Sequence, residues 1–426
     1  MKWIYNLNKT PSRWSPTRLP PIVFYVLTVL VILKGAFFIK SLSPTNLIYY
    51  QRAWVAAGLS ALVFVSIILW LDRNEREPWR LLLVAFLWGA LATPLTINTT
   101  QRLLIKGLET HPVVIDQVSE VLRLNDQNYV QKVNLEKAVV NEIVSSVIKG
   151  IYTIRIGPFL EEFAKGLVLF AIFLFLPHEF DGILDGLIYG ALVGLGFAMV
   201  ENARYLYEGQ FGFQDENLAV EAFWRVVDRR IFFHGLTGHA MYTGLIGAGL
   251  GLARTAKREW LRRLSPPTGF ALAVIAHMMW NSLNLEPWWE SLPVTKSNLL
   301  AEIFSNLSRL VLISGPFVIV VLSMLLLAWQ REHKVLEKYL PAKGQTMYSE
   351  TEIMRHGSRR RKALWQAFRD KGWMGYYSAA RLQKLIIEWA FVRWHWFEGH
   401  LAEGLDVEEI ERDYQNRVLA LVEKLN

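Results

Sequence analysis

The chain has 426 residues, 52% of them hydrophobic, with a mean hydropathy of +0.22, and its apolar residues come in blocks instead of at amphipathic intervals. A soluble chain of this length would form two or three periodically patterned domains, so the composition points to a polytopic membrane protein. Cysteine is absent, which excludes disulfides and thiolate metal sites, and the net charge of +8 is read first as an orientation signal and only second as a nucleic-acid surface.

The N-terminal segment, residues 1–20, holds Lys2, Lys9, Arg13 and Arg18 ahead of an apolar run. That run is too long for a signal peptide and no small-residue cleavage site follows it, so it is expected to be a retained first span. Eight stretches approach the ~20 residues that a ~30 Å hydrocarbon core requires. They fall at about 21–39, 54–71, 79–97, 158–177, 183–201, 231–253, 267–285 and 303–329. Trp54, Trp70, Trp79, Trp260, Trp288, Trp289 and Trp329 lie near their ends, as interfacial aromatics do.

The Lys/Arg-rich short loops place both termini in the cytoplasm. The connection 98–157 is then outside, where its apolar spacing predicts helices that could roof the bundle. The tail, 330–426, carries the basic cluster RHGSRRRK and the aromatic-rich stretch LIIEWAFVRWHWFEGH. It is read as a cytoplasmic helical domain lying on anionic lipid, with no nucleic-acid partner expected. The expected fold is thus an all-α bundle of about eight transmembrane helices, residues 21–329, with a helical cytoplasmic tail.

Ionisable residues are costly inside such a bundle, at roughly 2.5–3.5 kcal/mol each on insertion scales, and so mark function. Spans four to seven contain Glu161, Glu162, Lys165, Glu201, His234, His239 and His277, with Asn281 one turn after the last. With a rise of about 1.5 Å per residue, Glu161 lies ~5 Å from the outer end of its span and His239 and His277 each ~12 Å from theirs. Four helices thus bring these groups to one layer below the outer surface. Helical phase puts Glu161 and Lys165 on one face with Glu162 turned ~100° away. It also sets His234 and His239 ~140° apart, so only one should face inward while the other is an interfacial bystander. Carboxylates and imidazoles activate water, as general bases or by holding Zn²⁺, and the Asn or a second His can donate to an oxyanion. The inferred reaction is hydrolysis of an amide within the membrane.

At these residues the chain resembles the PrsW family of intramembrane proteases, related to the CAAX-processing and bacteriocin-processing membrane proteases. The EExxK pattern is Glu161, Glu162 and Lys165; FxxxEN is Phe197, Glu201 and Asn202; a histidine followed by aromatic-Thr and a Gly-rich run is His239, Tyr242, Thr243 and Gly247; and HMMWN supplies His277, Trp280 and Asn281. The resemblance covers about residues 150–285 and selects His239 over His234. It implies catalytic roles for Glu161, Glu162, Glu201, His239, His277 and Asn281, with Lys165, Phe197 and Asn202 in support. It also implies cleavage of single-span membrane proteins near the outer face, as in site-1 cleavage of anti-sigma factors, in a prokaryotic plasma membrane.

Two chemistries stay open at this point. Zn²⁺ could be held by Glu161, Glu201, His239 and His277, or a glutamate, Glu161 or Glu162, could act on water with no cofactor. The lack of an HExxH pair tilts the expectation towards the second. The rival readings are an ion- or proton-coupled carrier using the same Glu/His cluster, and a non-catalytic membrane scaffold. The sequence is silent on oligomeric state.

Overall fold

The structure is a computed structural model, and the residues it describes are 44–72, 77–94, 150–176, 179–210, 215–282, 310–340, 356–397 and 407–425, with a few isolated positions between them. Among these residues the chain is helical and contains no strand. The N-terminal segment, the expected span at 21–39 and nearly all of the connection 98–157 lie outside the described residues.

The helices are α1 (Pro44–Leu71), α2 (Trp79–Pro94), α3 (Gly157–Phe175), α4 (Ile183–Gln210), α5 (Glu216–Val226), α6 (Met241–Thr255), α7 (Glu259–Ser282), α8 (Gly315–Tyr339), α9 (Gly357–Phe397) and α10 (Val407–Leu425). Among the described residues three stretches are long and apolar enough to cross a membrane, Leu47–Leu71, Ile183–Gln210 and Leu310–Tyr339, and Trp79–Ala92 is a shorter apolar helix. Burial separates them: 83% of the apolar window of α4 is inside the fold, against 17% for Leu47–Leu71 and 22% for Leu310–Tyr339. The central helix is therefore α4, with α1 and α8 at the rim.

Glycine makes that centre possible. Gly186, Gly190 and Gly194 recur every fourth residue and form one smooth stripe along α4, against which α6 lies backbone to backbone. A Cβ on Gly186 would stand 2.0 Å from the carbonyl oxygen of Gly247, and one on Gly247 would stand 1.8 Å from that of Gly186. On its other flank α4 meets α2 as closely, a Cβ on Gly196 falling 1.9 Å from the Phe86 oxygen. The Trp88 indole of α2 donates to the Ala164 carbonyl of α3 at 2.9 Å, fixing the fourth wall. Leu169, Phe180, Ile188, Leu192, Tyr242 and Ala273 fill the core between these helices.

The segment expected as one span at 231–253 is not one helix. Residues Val227–Phe233 and Leu236–Ala240 are wide π-type turns, and the backbone breaks between them at Gly235 (φ −39°, ψ −85°) and again at Gly238 (φ −95°, ψ −128°) before α6 begins. Two glycines three residues apart supply the conformations that a regular helix lacks.

A second core lies at the far end of α8. Val335, Leu336, Tyr339 and Leu340 pack there with Ile386, Trp389 and Ala390 of α9 and with Ile410, Tyr414 and Val418 of α10. α9 is itself a hairpin: Lys371 and Gly372 (φ 62°) reverse the chain, Gln383 Nε2 on the second arm donates to the Arg360 carbonyl on the first at 3.1 Å, and a Cβ on Gly375 would stand 2.3 Å from the Ala367 oxygen.

Gly186→Ala and Gly247→Ala are expected to lower the thermal unfolding midpoint in detergent, because overpacking costs about 1–3 kcal/mol even where side chains can move aside, and here the obstacle is backbone. Gly58→Ala on α1, where nothing lies within 4 Å of an added Cβ, should leave the midpoint unchanged. Equal midpoints for all three would show that α4 and α6 do not touch.

Candidate active site

Pro158 opens α3 at a position where its missing N–H costs nothing, and Glu161 and Glu162 follow within the first turns. Successive residues on a helix diverge by ~100°, so the two carboxylates leave in different directions. Glu162 enters the bundle and is fully buried, whereas Glu161 sits at its edge with 12% of its side chain exposed.

Lys165 pairs with Glu162 and not with Glu161, which corrects the expectation from helical phase. Its ammonium is 2.5 Å from Glu162 Oε1, 3.2 Å from His239 Nδ1 and 3.9 Å from the centre of the Phe197 ring, and both charged side chains are fully enclosed. Spacings of three and of four residues both bring helical side chains together, and burial decides between them here. Glu162 is then saturated: His277 Nδ1 lies 3.0 Å from Oε1, and the Thr243 hydroxyl donates to Oε2 at 3.0 Å.

These contacts set the histidine tautomers. A carboxylate only accepts, so His277 donates from Nδ1 to Glu162 and presents the lone pair of Nε2, which faces Glu161 Oε2 at 3.8 Å. His239 Nε2 lies 2.7 Å from Glu201 Oε2, which Arg230 also contacts with its Nη2, so Nε2 donates there and Nδ1 accepts from Lys165. The two imidazoles stand perpendicular, 4.9 Å apart, and Tyr242 stacks on His277 at 5.1 Å.

Both His234 and His239 are buried, so the expectation that one would face outward does not hold. The ~140° separation presumes a regular helix, and the breaks at Gly235 and Gly238 remove that premise. His234 stacks on Trp280 at 4.0 Å and its Nε2 lies 2.9 Å from the Tyr242 hydroxyl. Asn281 is not brought into the cluster: its Nδ2 donates to the Thr153 carbonyl at 2.9 Å and the residue is partly exposed at the rim. Asn202 stays close, accepting from Arg230 Nε at 3.0 Å.

Arg230 is the residue that sequence reasoning missed. It lies just before the expected start of a span, where a basic residue reads as an interfacial anchor. Instead it crosses the π-type turn to join Glu201 and Asn202, with its guanidinium 3.9 Å over the Tyr205 ring. Nothing in its sequence context distinguishes it from the adjacent Arg229.

Glu161, His239 and His277 each offer one ligand atom, all within 4.8 Å of one another. Among the described residues Glu161 Oε2 is buried and accepts no hydrogen bond, and of the three carboxylates in the cluster it alone has no lysine or arginine in a salt bridge with it. Two nitrogens and one oxygen, with a carboxylate behind one of the histidines, match the donor set and outer support of a divalent metal site. His239 would give up one of its two hydrogen bonds to join it. Glu201, also expected as a ligand, stands outside this group because Arg230 and His239 hold it.

A family model described as "PrsW family intramembrane metalloprotease" matches residues 77–322. The chain belongs to the PrsW family. Protease PrsW of Oceanobacillus iheyensis is 30% identical to it over 122 residues, 29% of this chain and 49% of the relative, so the chain spans about half the length of the curated relative it matches. No solved structure matches this PrsW-family chain. The family's description as metalloproteases runs against the cofactor-free expectation and agrees with a site that leaves one carboxylate without a cation.

Arg230→Ala would strand Glu201, a residue only 6% exposed. Breaking a fully buried pair costs about 3–5 kcal/mol, and the 16% exposure of the Arg230 side chain should bring the loss to roughly 2–3. The thermal midpoint in detergent should fall accordingly, Arg230→Lys should recover part of it, and an unchanged midpoint would show that the pair contributes nothing.

Proposed function

We propose that the chain is an intramembrane endopeptidase that hydrolyses peptide bonds of single-span membrane proteins near the outer face of the membrane, with anti-sigma-factor-like proteins as the substrate class. The observation that carries this reading is the buried, unbonded Oε2 of Glu161 beside the open Nε2 of His277. Family membership weighs against the carrier and scaffold readings. Counting α2, α3, α6 and α7 as spans beside the three long apolar helices, with the span expected from sequence at 21–39, gives eight crossings and so both termini on one side, which the Lys/Arg-rich loops assign to the cytoplasm of a prokaryotic cell.

Glu161, His239 and His277 would hold the ion, Zn²⁺ by its taste for this mixed nitrogen and oxygen set. Bound there it supplies a Lewis acid for the scissile carbonyl and lowers the pKa of water. The chain's own residues do the rest. Glu161 is the reacting carboxylate: with the oxygen that does not hold the ion it takes a proton as the water oxygen attacks the carbonyl carbon, and returns that proton to the amine as the C–N bond breaks, leaving an acid and an amine. Glu162 does not react. Saturated by Lys165, His277 and Thr243, it holds His277 with Nε2 turned to the reaction centre. The Arg230–Glu201 pair orients His239 from the opposite nitrogen, holding Nε2 and leaving Nδ1 as the atom that would leave Lys165 for the ion. Asn281 has its donor committed to Thr153 and plays no part at the reacting atoms.

Substitution of the adjacent glutamates separates these roles. Glu161→Gln should abolish cleavage of a single-span reporter and, compared with the parent after chelation of both, leave the thermal midpoint within about 0.5 kcal/mol, the range of substitutions that break no special contact. Glu162→Gln should lower the midpoint strongly, because it leaves the fully buried Lys165 without its counter-ion, at about 3–5 kcal/mol. Elemental analysis should find one zinc in the purified protein, lost in His277→Ala and on chelation together with activity. Full cleavage by metal-free protein would overturn the metal assignment, and full cleavage by Glu161→Gln would overturn the site.

A further inference from the structure

We propose that the tip of the α9 hairpin is a docking surface for an anionic lipid leaflet, the one that the end of α8 reaches. Three features carry it. The first is charge: α9 alone has nine basic and two acidic residues, so it holds most of the net +8 of the chain. Arg361, Lys362, Arg369 and Lys371 are all exposed on the first arm and the turn.

The second is the side chains between those charges. Trp365, Trp373, Met374 and Tyr377 are 61%, 66%, 80% and 68% exposed, and they form one patch: Trp365 and Trp373 both pack on Phe368, at 5.5 and 5.0 Å, and Tyr377 adjoins Trp373 at 6.4 Å. None of them belongs to the core that the second arm builds with α8 and α10. Aromatic rings beside lysine and arginine are the composition of the headgroup layer, where the rings sit among glycerol and carbonyl groups and the cations meet lipid phosphate.

The third is attachment. The core that roots the hairpin begins at Val335, on the same continuous helix as the apolar stretch Leu310–Tyr339. Arg331 ties hairpin and bundle together, its guanidinium 4.8 Å from the Trp394 ring and its Nη1 donating to the Asp181 carbonyl at 3.4 Å. From Trp394 to Trp373 the second arm spans ~30 Å at 1.5 Å per residue, so the tip can reach the leaflet and pays little entropy for doing so. RNA has the same charge but fits less well: Met374, the most exposed residue of the patch, gains nothing from phosphate and is buried by lipid.

The absence of cysteine makes the test clean. Met374→Cys introduces a single thiol, which is given a fluorescent label in the full chain reconstituted in nanodiscs of phosphatidylcholine, with or without phosphatidylglycerol. In the anionic discs the label should be quenched by brominated lipid and shielded several-fold from iodide. Arg361→Glu with Lys362→Glu should undo the shielding, since each basic residue near such a surface contributes roughly fivefold in partition. Tyr377→Cys labelled in the same way should agree, which guards against a local effect at 374. Equal iodide access in both lipids would overturn the proposal. So would shielding already present in detergent, which would mean the chain covers the patch itself, or shielding that appears only on addition of RNA.

Discussion

An ammonium and a carboxylate, neither with any solvent exposure, meet at 2.5 Å in the middle of an apolar helix bundle, and the rest of the site is arranged around that pair. Burying two ions costs several kcal/mol each, and attraction repays it only when the remaining donors and acceptors are filled as well. They are filled here. Lys165 has Glu162, His239 Nδ1 and the face of Phe197, while Glu162 has Lys165, His277 and Thr243. Each partner added for the sake of solvation also fixes an orientation, so the pair determines which nitrogen of each histidine carries the proton.

The distances in this network are inherited from backbone contacts elsewhere. A Cβ on Gly194 would stand 2.1 Å from the His239 carbonyl oxygen, so the main chain of the histidine rests directly on α4. Phe197 and Glu201 lie one and two turns further along the same helix, facing the ring that this contact has placed. The glycine stripe of α4 thus does more than allow tight packing. It sets the depth of His239 relative to Glu201, and the broken backbone at Gly235 and Gly238 lets His234 turn inward beside it, stacked on Trp280.

The identities in the cluster were readable in the sequence because charge within apolar blocks is expensive and so stands out; their common depth followed from counting along each span. Pairing was harder. Glu161 and Glu162 are equally eligible partners of Lys165 on a helical wheel, and only the burial of one side chain separates them. The inward turn of His234 was hidden for a different reason, since a wheel assumes regular helix and two glycines ended it. Arg230 was invisible because the same residue type at a span boundary has a commoner use. Asn281, one turn beyond His277, shared its face on paper but lies in the last turn of α7, where a carbonyl at Thr153 takes its amide. In the tail, Gly372 sits among charged residues with no turn signature beyond itself, so the reversal that makes α9 a hairpin could not be read.

The two adjacent glutamates differ in their surroundings, and charge alone explains the difference. Among the described residues the cluster contains three carboxylates and two cations, Lys165 for Glu162 and Arg230 for Glu201. A third cation from the chain would have completed the charge balance and left no carboxylate oxygen of the cluster open. Glu161 instead stands at the edge of the bundle with one buried oxygen accepting nothing, a state that low-dielectric surroundings tolerate only if a proton or a metal ion can fill it. Consecutive positions on one helix turn serve this arrangement better than distant ones would. The ~100° between them sends one side chain to the interior, where it holds the fold together, and the other to the margin, where it remains available.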